Sequence, residues 1–211
     1  MIIPVFDTEA SASTATGTTV TINITIGANN NRMLIVGSQS SSGAYVQCTG
    51  VTIVGYSLTL SKRQRSGGAQ TAEACTWYLA DPPTGAQTVT VTFASNASFM
   101  GGGAISYYSV SGLGSSASAS GSDTTPTVDI SSNIGELVVD SATSINYSSV
   151  GAGQTQRYEE AIGGVWGGGS TEPGAPTVTM SWTNSNSHDW AICAIGLKPI
   201  NEATTFLLDF I

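Results

Sequence analysis

Apolar and polar residues alternate along much of the chain. In "TVTINITI", residues 19–26, Val20, Ile22, Ile24 and Ile26 alternate with Thr21, Asn23 and Thr25, so one side of an extended backbone is apolar and the other carries hydroxyls and amides. A period of two marks a strand with one face buried and one face wet. The same period returns in Val89, Val91 and Phe93, and again in Val178, Met180 and Trp182. Short uninterrupted apolar runs, "MLIVGS" (33–38) and "ELVVDS" (136–141), have the length of strands covered on both faces. No segment carries a sustained apolar stripe at helical spacing between capping residues, so the pattern predicts an all-β chain with almost no helix.

The strands come in a repeated order. "TTVTINI" (18–24), "MLIVGS" (33–38), "PTGAQTVTVTF" (83–93) and "AISYYSVSG" (104–112) are followed by "TPTVDI" (125–130), "ELVVDS" (136–141), "PGAPTVTMSW" (173–182) and "AICAIGLKP" (191–199). Collinear blocks of the same apolar parity point to a duplicated half-unit, 18–112 and 125–199. Residues 111–126, "SGLGSSASASGSDTTP", read as a flexible Gly/Ser-rich connector between them. Packing matched strands of both halves around one core is more economical than building two tandem domains. The expectation is therefore a single β-sandwich over residues 1–199, jelly-roll-like, with Trp77, Trp182 and Trp190 anchoring its core. Residues 200–211 belong to neither repeat. Their apolar side chains, Phe206, Leu207, Leu208, Phe210 and Ile211, form either an edge strand of the same sandwich or an interface that docks on a neighbour.

Composition narrows the classes of function. Among 211 residues only 9% are charged, and Ser, Thr, Gly and Asn fill the polar positions, which suits a closely packed or assembled protein better than a free cytosolic enzyme. Fourteen acidic against six basic residues give a net charge of −8, the wrong field for a phosphate backbone, so no nucleic-acid partner is expected. The small basic cluster Lys62, Arg63 and Arg65 reads as an exposed strand end or a contact for an acidic partner. Cys48, Cys75 and Cys193 lack C-x-x-C spacing and the chain has one His, which argues against a zinc site. Disulfide pairing stays open: Cys48 with Cys75 is one arrangement, and Cys193 in "WAICAIGL" reads as a small buried thiol. No run approaches the roughly 18 apolar residues of a membrane helix, and "MIIPVFDTEA" lacks the basic start of a signal peptide. The expectation is a soluble chain made in a cytoplasm, without membrane insertion.

Candidate chemistry is sparse. The one His, His188, precedes Asp189, and consecutive strand residues face opposite ways, so the pair forms no orienting couple for a nucleophile. Glu159 and Glu160 are consecutive too, whereas glycoside hydrolysis needs two carboxyls across one cleft. No catalytic residue, metal or cofactor is expected; Asp81 is too isolated for calcium. Gly-rich "GGVWGGGSTEPG" (163–174) has neither the following helix nor the Lys of a phosphate cradle. It does hold Trp166 among small residues, with Tyr158 and Glu159 just before it. Two readings follow: a ring exposed in a loop and stacking on a sugar, or a ring folded down over the end of the sandwich.

With "WYLADPPTGAQTVTVTF", "GAGQTQRY" and "DWAICAIGLKP" in that order, the chain resembles a broad class of β-sandwich modules found in bacteriophage and environmental bacterial sequences, over most of residues 18–199. The resemblance implies a fold and a virion or cell-surface setting, and carries over no catalytic residues. It leads to the expectation of a non-enzymatic structural component of a virion, a capsid decoration or tail-fibre protein, assembled in the host cytoplasm. Such a protein would contact other virion proteins or copies of itself as a homo-oligomer. The alternative is a carbohydrate-binding or receptor-binding module on a virion or cell surface, using Trp166, Tyr158 and Glu159.

Overall fold

The alternating segments become strands with the expected faces. A computed structural model of the chain describes residues 1–67, 71–145 and 147–201. Strand β2 (Thr19–Ile26) buries Val20, Ile22, Ile24 and Ile26 and exposes the residues between them. In the same way β8 (Gly85–Phe93) buries Val89, Val91 and Phe93, and β16 (Val178–Asn184) buries Val178, Met180 and Trp182. The described residues contain no helix.

One pairing order occurs twice. In the first half, β1 (Val5–Thr14), β9 (Phe99–Tyr108), β3 (Met33–Ser42), β7 (Thr71–Ala80) and β6 (Thr59–Arg65) form a five-stranded antiparallel sheet in that order. Opposite it, β2, β8, β4 (Cys48–Ile53) and β5 (Tyr56–Ser57) form a four-stranded sheet. In the second half the larger sheet is β10 (Val110–Asp123), β17 (His188–Pro199), β12 (Leu137–Ile145), β15 (Val165–Pro173) and β14 (Thr155–Ile162). The smaller is β11 (Thr127–Ile130), β16 and β13 (Tyr147–Val150). In both halves the first strand pairs with the last and the second with the last but one, which is the jelly-roll order.

Each half closes a sandwich of its own, and this departs from the single two-layer sandwich the sequence suggests. Val20, Ile22, Leu34, Val36, Trp77 and Val91 fill the first core; Val128, Val138, Trp166, Trp182, Trp190 and Ile192 fill the second. A third cluster joins Ile35, Ile105 and Tyr107 of the first five-stranded sheet to Val139, Tyr158, Ile195 and Leu197 of the second. The molecule is thus four layers deep, two jelly rolls back to back. The physical reason lies in "MLIV" and "LVV": β3 and β12 are apolar on both faces because one face lines a jelly-roll core and the other the joint.

The connector expectation also needs correction. Residues 110–123 form β10, paired with β17 along its length, and its Ala117 and Ala119 pack on the second core. Its Ala/Ser alternation is a strand pattern with the smallest possible inward side chains, and composition alone disguised it as a linker. β1 carries the same "ASAS" at residues 10–13, with Ala10 and Ala12 packed on the first core. The halves therefore meet at Ser109, whose φ of 59° turns the chain between β9 and β10.

Strand register defines which residues correspond. Met33 and Ile35 pair with Tyr107 and Ile105, as Leu137 and Val139 pair with Leu197 and Ile195. Met33 is then the counterpart of Leu137, one residue away from an end-to-end match of "MLIVGS" with "ELVVDS". The equivalence extends to the edges. Ser11 and Ser13 of β1 donate to Oε1 and Oε2 of Glu160 on β14, both at 2.8 Å. Across the joint, Ser118 of β10 donates to Oε1 of Gln64 on β6 at 2.9 Å, and Gln64 Nε2 donates to Ser120 at 3.0 Å. Gln64 pairs with Ala74 and Glu160 with Gly167, matching positions of the two sheets, so the joint has a local two-fold pseudosymmetry.

Candidate functional site

The expected glycan residues are not brought together on a surface. Tyr158 and Glu159 lie on β14 and Trp166 on β15, joined by a tight turn at Gly163 and Gly164, whose φ values are 60° and 84°. "GGVWGGGSTEPG" is thus a turn and a strand. Trp166 is 1% exposed and packs in the second core against Trp182, with ring centroids 4.9 Å apart and planes tilted by 44°. Tyr158 is buried on the opposite face of the sheet, in the joint. Glu159 alone is exposed, accepting from Gln156 Nε2 at 3.0 Å. Neither ring offers a face to a sugar, because small neighbours let both sink inward: a Cβ on Gly168 would stand 2.7 Å from the Trp166 ring. The interface residues Phe206, Leu207, Leu208, Phe210 and Ile211 lie outside the described residues.

The buried polar groups serve packing. In the joint, Gln39 Nε2 donates to Ser141 Oγ at 2.7 Å and to Tyr158 Oη at 2.6 Å. In the second core, the Asp140 carboxylate accepts from Ser170 N at 2.6 Å, Ser170 Oγ at 2.9 Å and Trp182 Nε1 at 2.7 Å. Burial outweighs these donors and pushes its pKa up to about 7. In the first jelly roll, buried Glu73 accepts from Tyr45 Oη and from Cys48 N at 2.7 Å, and pairs with Arg63 Nε at 3.3 Å.

That pair changes the reading of the basic cluster. Arg63 is committed to Glu73 and to the Cys48 carbonyl, and the Arg65 guanidinium lies 4.1 Å from the Tyr45 ring centroid. These two cations hold their own jelly roll together. All three cysteines are free and buried, so Cys48 and Cys75 are not bridged. Burial raises each thiol pKa, that of Cys48 to about 11, which keeps them protonated and inert. Glu160 is held by Ser11 and Ser13, away from any partnership with Glu159. Among the described residues no group of His, Cys, Asp and Glu could hold a metal ion.

One surface stands apart. At the end where the described chain begins and stops, Ile2 and Ile200 exchange backbone hydrogen bonds of 2.8 and 2.9 Å. Met1 and Ile3 lie over Gly135, and beside them Ile134 is 79% exposed, the most exposed large apolar residue described. Met1 and Ile134 border an open cleft of about 270 Å³, whose lining also includes Glu136, Lys198, Pro199 and Asn201. Ser132 Oγ and Asn133 Nδ2 donate to the Glu136 carboxylate at 3.0 and 2.9 Å, fixing the turn that carries Ile134. Sequence reading missed this end, since no local pattern separates an exposed Ile at a turn from one in a strand. Comparison of the chain with protein-family models, curated proteins and solved structures returns no match in any of the three.

Proposed function

We propose that the chain is a non-enzymatic structural component of a bacteriophage virion, a capsid decoration or tail-fibre protein, acting through protein–protein contacts. The observation that carries this reading is the exposed apolar end formed by Met1, Ile3 and Ile134, in a chain whose polar residues are mostly uncharged and of which only 9% is charged. Two further features support it. The buried carboxylates and thiols described above are engaged in packing, and the jelly roll is a fold in which capsid proteins recur, an analogy of fold alone.

The reading is tested by immunogold electron microscopy on purified particles from a culture producing the chain, with antibodies raised against it. Label at regular positions on the particles is the expected result. Chain found only in the particle-free supernatant overturns the proposal.

A further inference from the structure

The internal repeat supplies a control for the apolar end. Counting back from the equivalent residues Met33 and Leu137, the turn before β3 places Asn30, Asn31 and Arg32 where the turn before β12 places Ile134, Gly135 and Glu136. The backbone agrees. Asn31 and Gly135 both have positive φ, 54° and 92°, and the carbonyls of Arg32 and Glu136 accept from Asp81 N at 2.9 Å and Gly174 N at 2.8 Å. The first jelly roll makes this turn with an exposed Asn at its tip. An apolar side chain there is not required by the fold, and exposed Ile134 is available for contact.

From this we infer that the apolar end is a self-association surface, on which two copies of the chain meet end to end and each seats its C-terminal segment 206–211 against the other's Met1, Ile3 and Ile134. The inference rests on the reading of the chain as a contact protein. Size selects the occupant. Met1, Ile2, Ile3 and Ile134 cannot furnish the ~800 Å² per partner of a standard interface. Buried aromatic side chains contribute roughly 150–250 Å² each, so the tail's Phe206 and Phe210, with Leu207, Leu208 and Ile211, bring the contact into that range.

Position and charge agree with size. The last described residue, Asn201, itself lines the cleft, so an end-to-end contact puts the point where each segment 202–211 starts beside both clefts. A two-fold contact must be complementary to itself. Glu136, whose carboxylate is held by Ser132 and Asn133, and Lys198 both line the cleft, so the contact surface carries charges of both signs although each chain bears −8 overall.

The test is the mass of the full-length chain in solution, by sedimentation equilibrium at about 100 µM, well above the micromolar range of ordinary contacts. Twice the chain mass of 21.5 kDa is expected. Two full-length variants, Ile134→Asn, which copies the turn of the first jelly roll, and Leu207→Asp with Phe210→Asp in the tail, should each halve the mass while keeping the wild-type β-sheet circular dichroism. A monomeric wild-type chain, whether or not its tail covers its own cleft, overturns the inference, and so does a dimer that persists in either variant. Failure here leaves particle labelling untouched, and absence from particles leaves the dimer mass untouched, so the two proposals fall separately.

Discussion

Asp140 occupies the position that Val36 holds in the first jelly roll, since Val36 pairs with Ala104 as Asp140 pairs with Ala194. Its neighbour in the core, Trp182, stands where the first jelly roll has Phe93 and brings an indole N–H inward, which the carboxylate accepts. This buried acid makes stability depend on pH. The folded chain holds the Asp140 proton to about pH 7, whereas the unfolded chain releases it near the ordinary carboxyl value of 3.8. Within that window the folded state binds more protons, so unfolding free energy falls as pH rises and levels off above pH 7. Asp140→Asn removes the titration and should flatten this slope. Denaturant melts of both proteins at about pH 4.5 and pH 8 check it; an unchanged slope in the variant means that another group sets the dependence.

Tyr158 shows how one element is matched to another. Its ring lies in a slot floored by Gly37 and Gly103 of the first five-stranded sheet and flanked by Gly169 of its own, and a Cβ at any of the three would fall inside contact distance of the tyrosine. Gly103→Ala should destabilise the protein by about 1–3 kcal/mol, the usual cost of overpacking. The same substitution in a Tyr158→Ala background should cost much less, because the clashing ring is gone. Denaturant melts of the four proteins give the coupling; additive effects would mean that Gly103 acts through backbone conformation instead. At this scale the sequence was legible where side chains are large: β2, β8 and β16 follow their alternation. β10 and β15 were not, because Ala, Ser and Gly carry little hydrophobic signal, although "ASAS" and "GGG" are what allow close approach of strands and rings.

For the whole molecule, the joint between the jelly rolls decides behaviour. Ile35, Ile105 and Tyr107 meet Val139, Ile195 and Leu197 there, and the serines at 11, 13, 118 and 120 close both edges on Glu160 and Gln64. A joint with an apolar centre and satisfied polar edges couples its halves more firmly than a flexible linker does. Thermal unfolding should accordingly be one transition, with calorimetric and van't Hoff enthalpies equal. Two resolved transitions would indicate that each jelly roll melts by itself.

What the sequence by itself determined was local and periodic: strands from a period of two, a chain with almost no helix from the lack of any sustained helical stripe, and a duplication from collinear blocks. It even signalled that β3 and β12 are covered on both faces. Which surfaces cover them was decided only in the tertiary structure, which gives each half its own small sheet on one side and the other half on the other. The turn carrying Ile134 and the burial of Trp166 were settled there too. The physical reason is that alternation records which side of a strand leaves water, whereas the identity of the covering surface depends on residues far away in the chain.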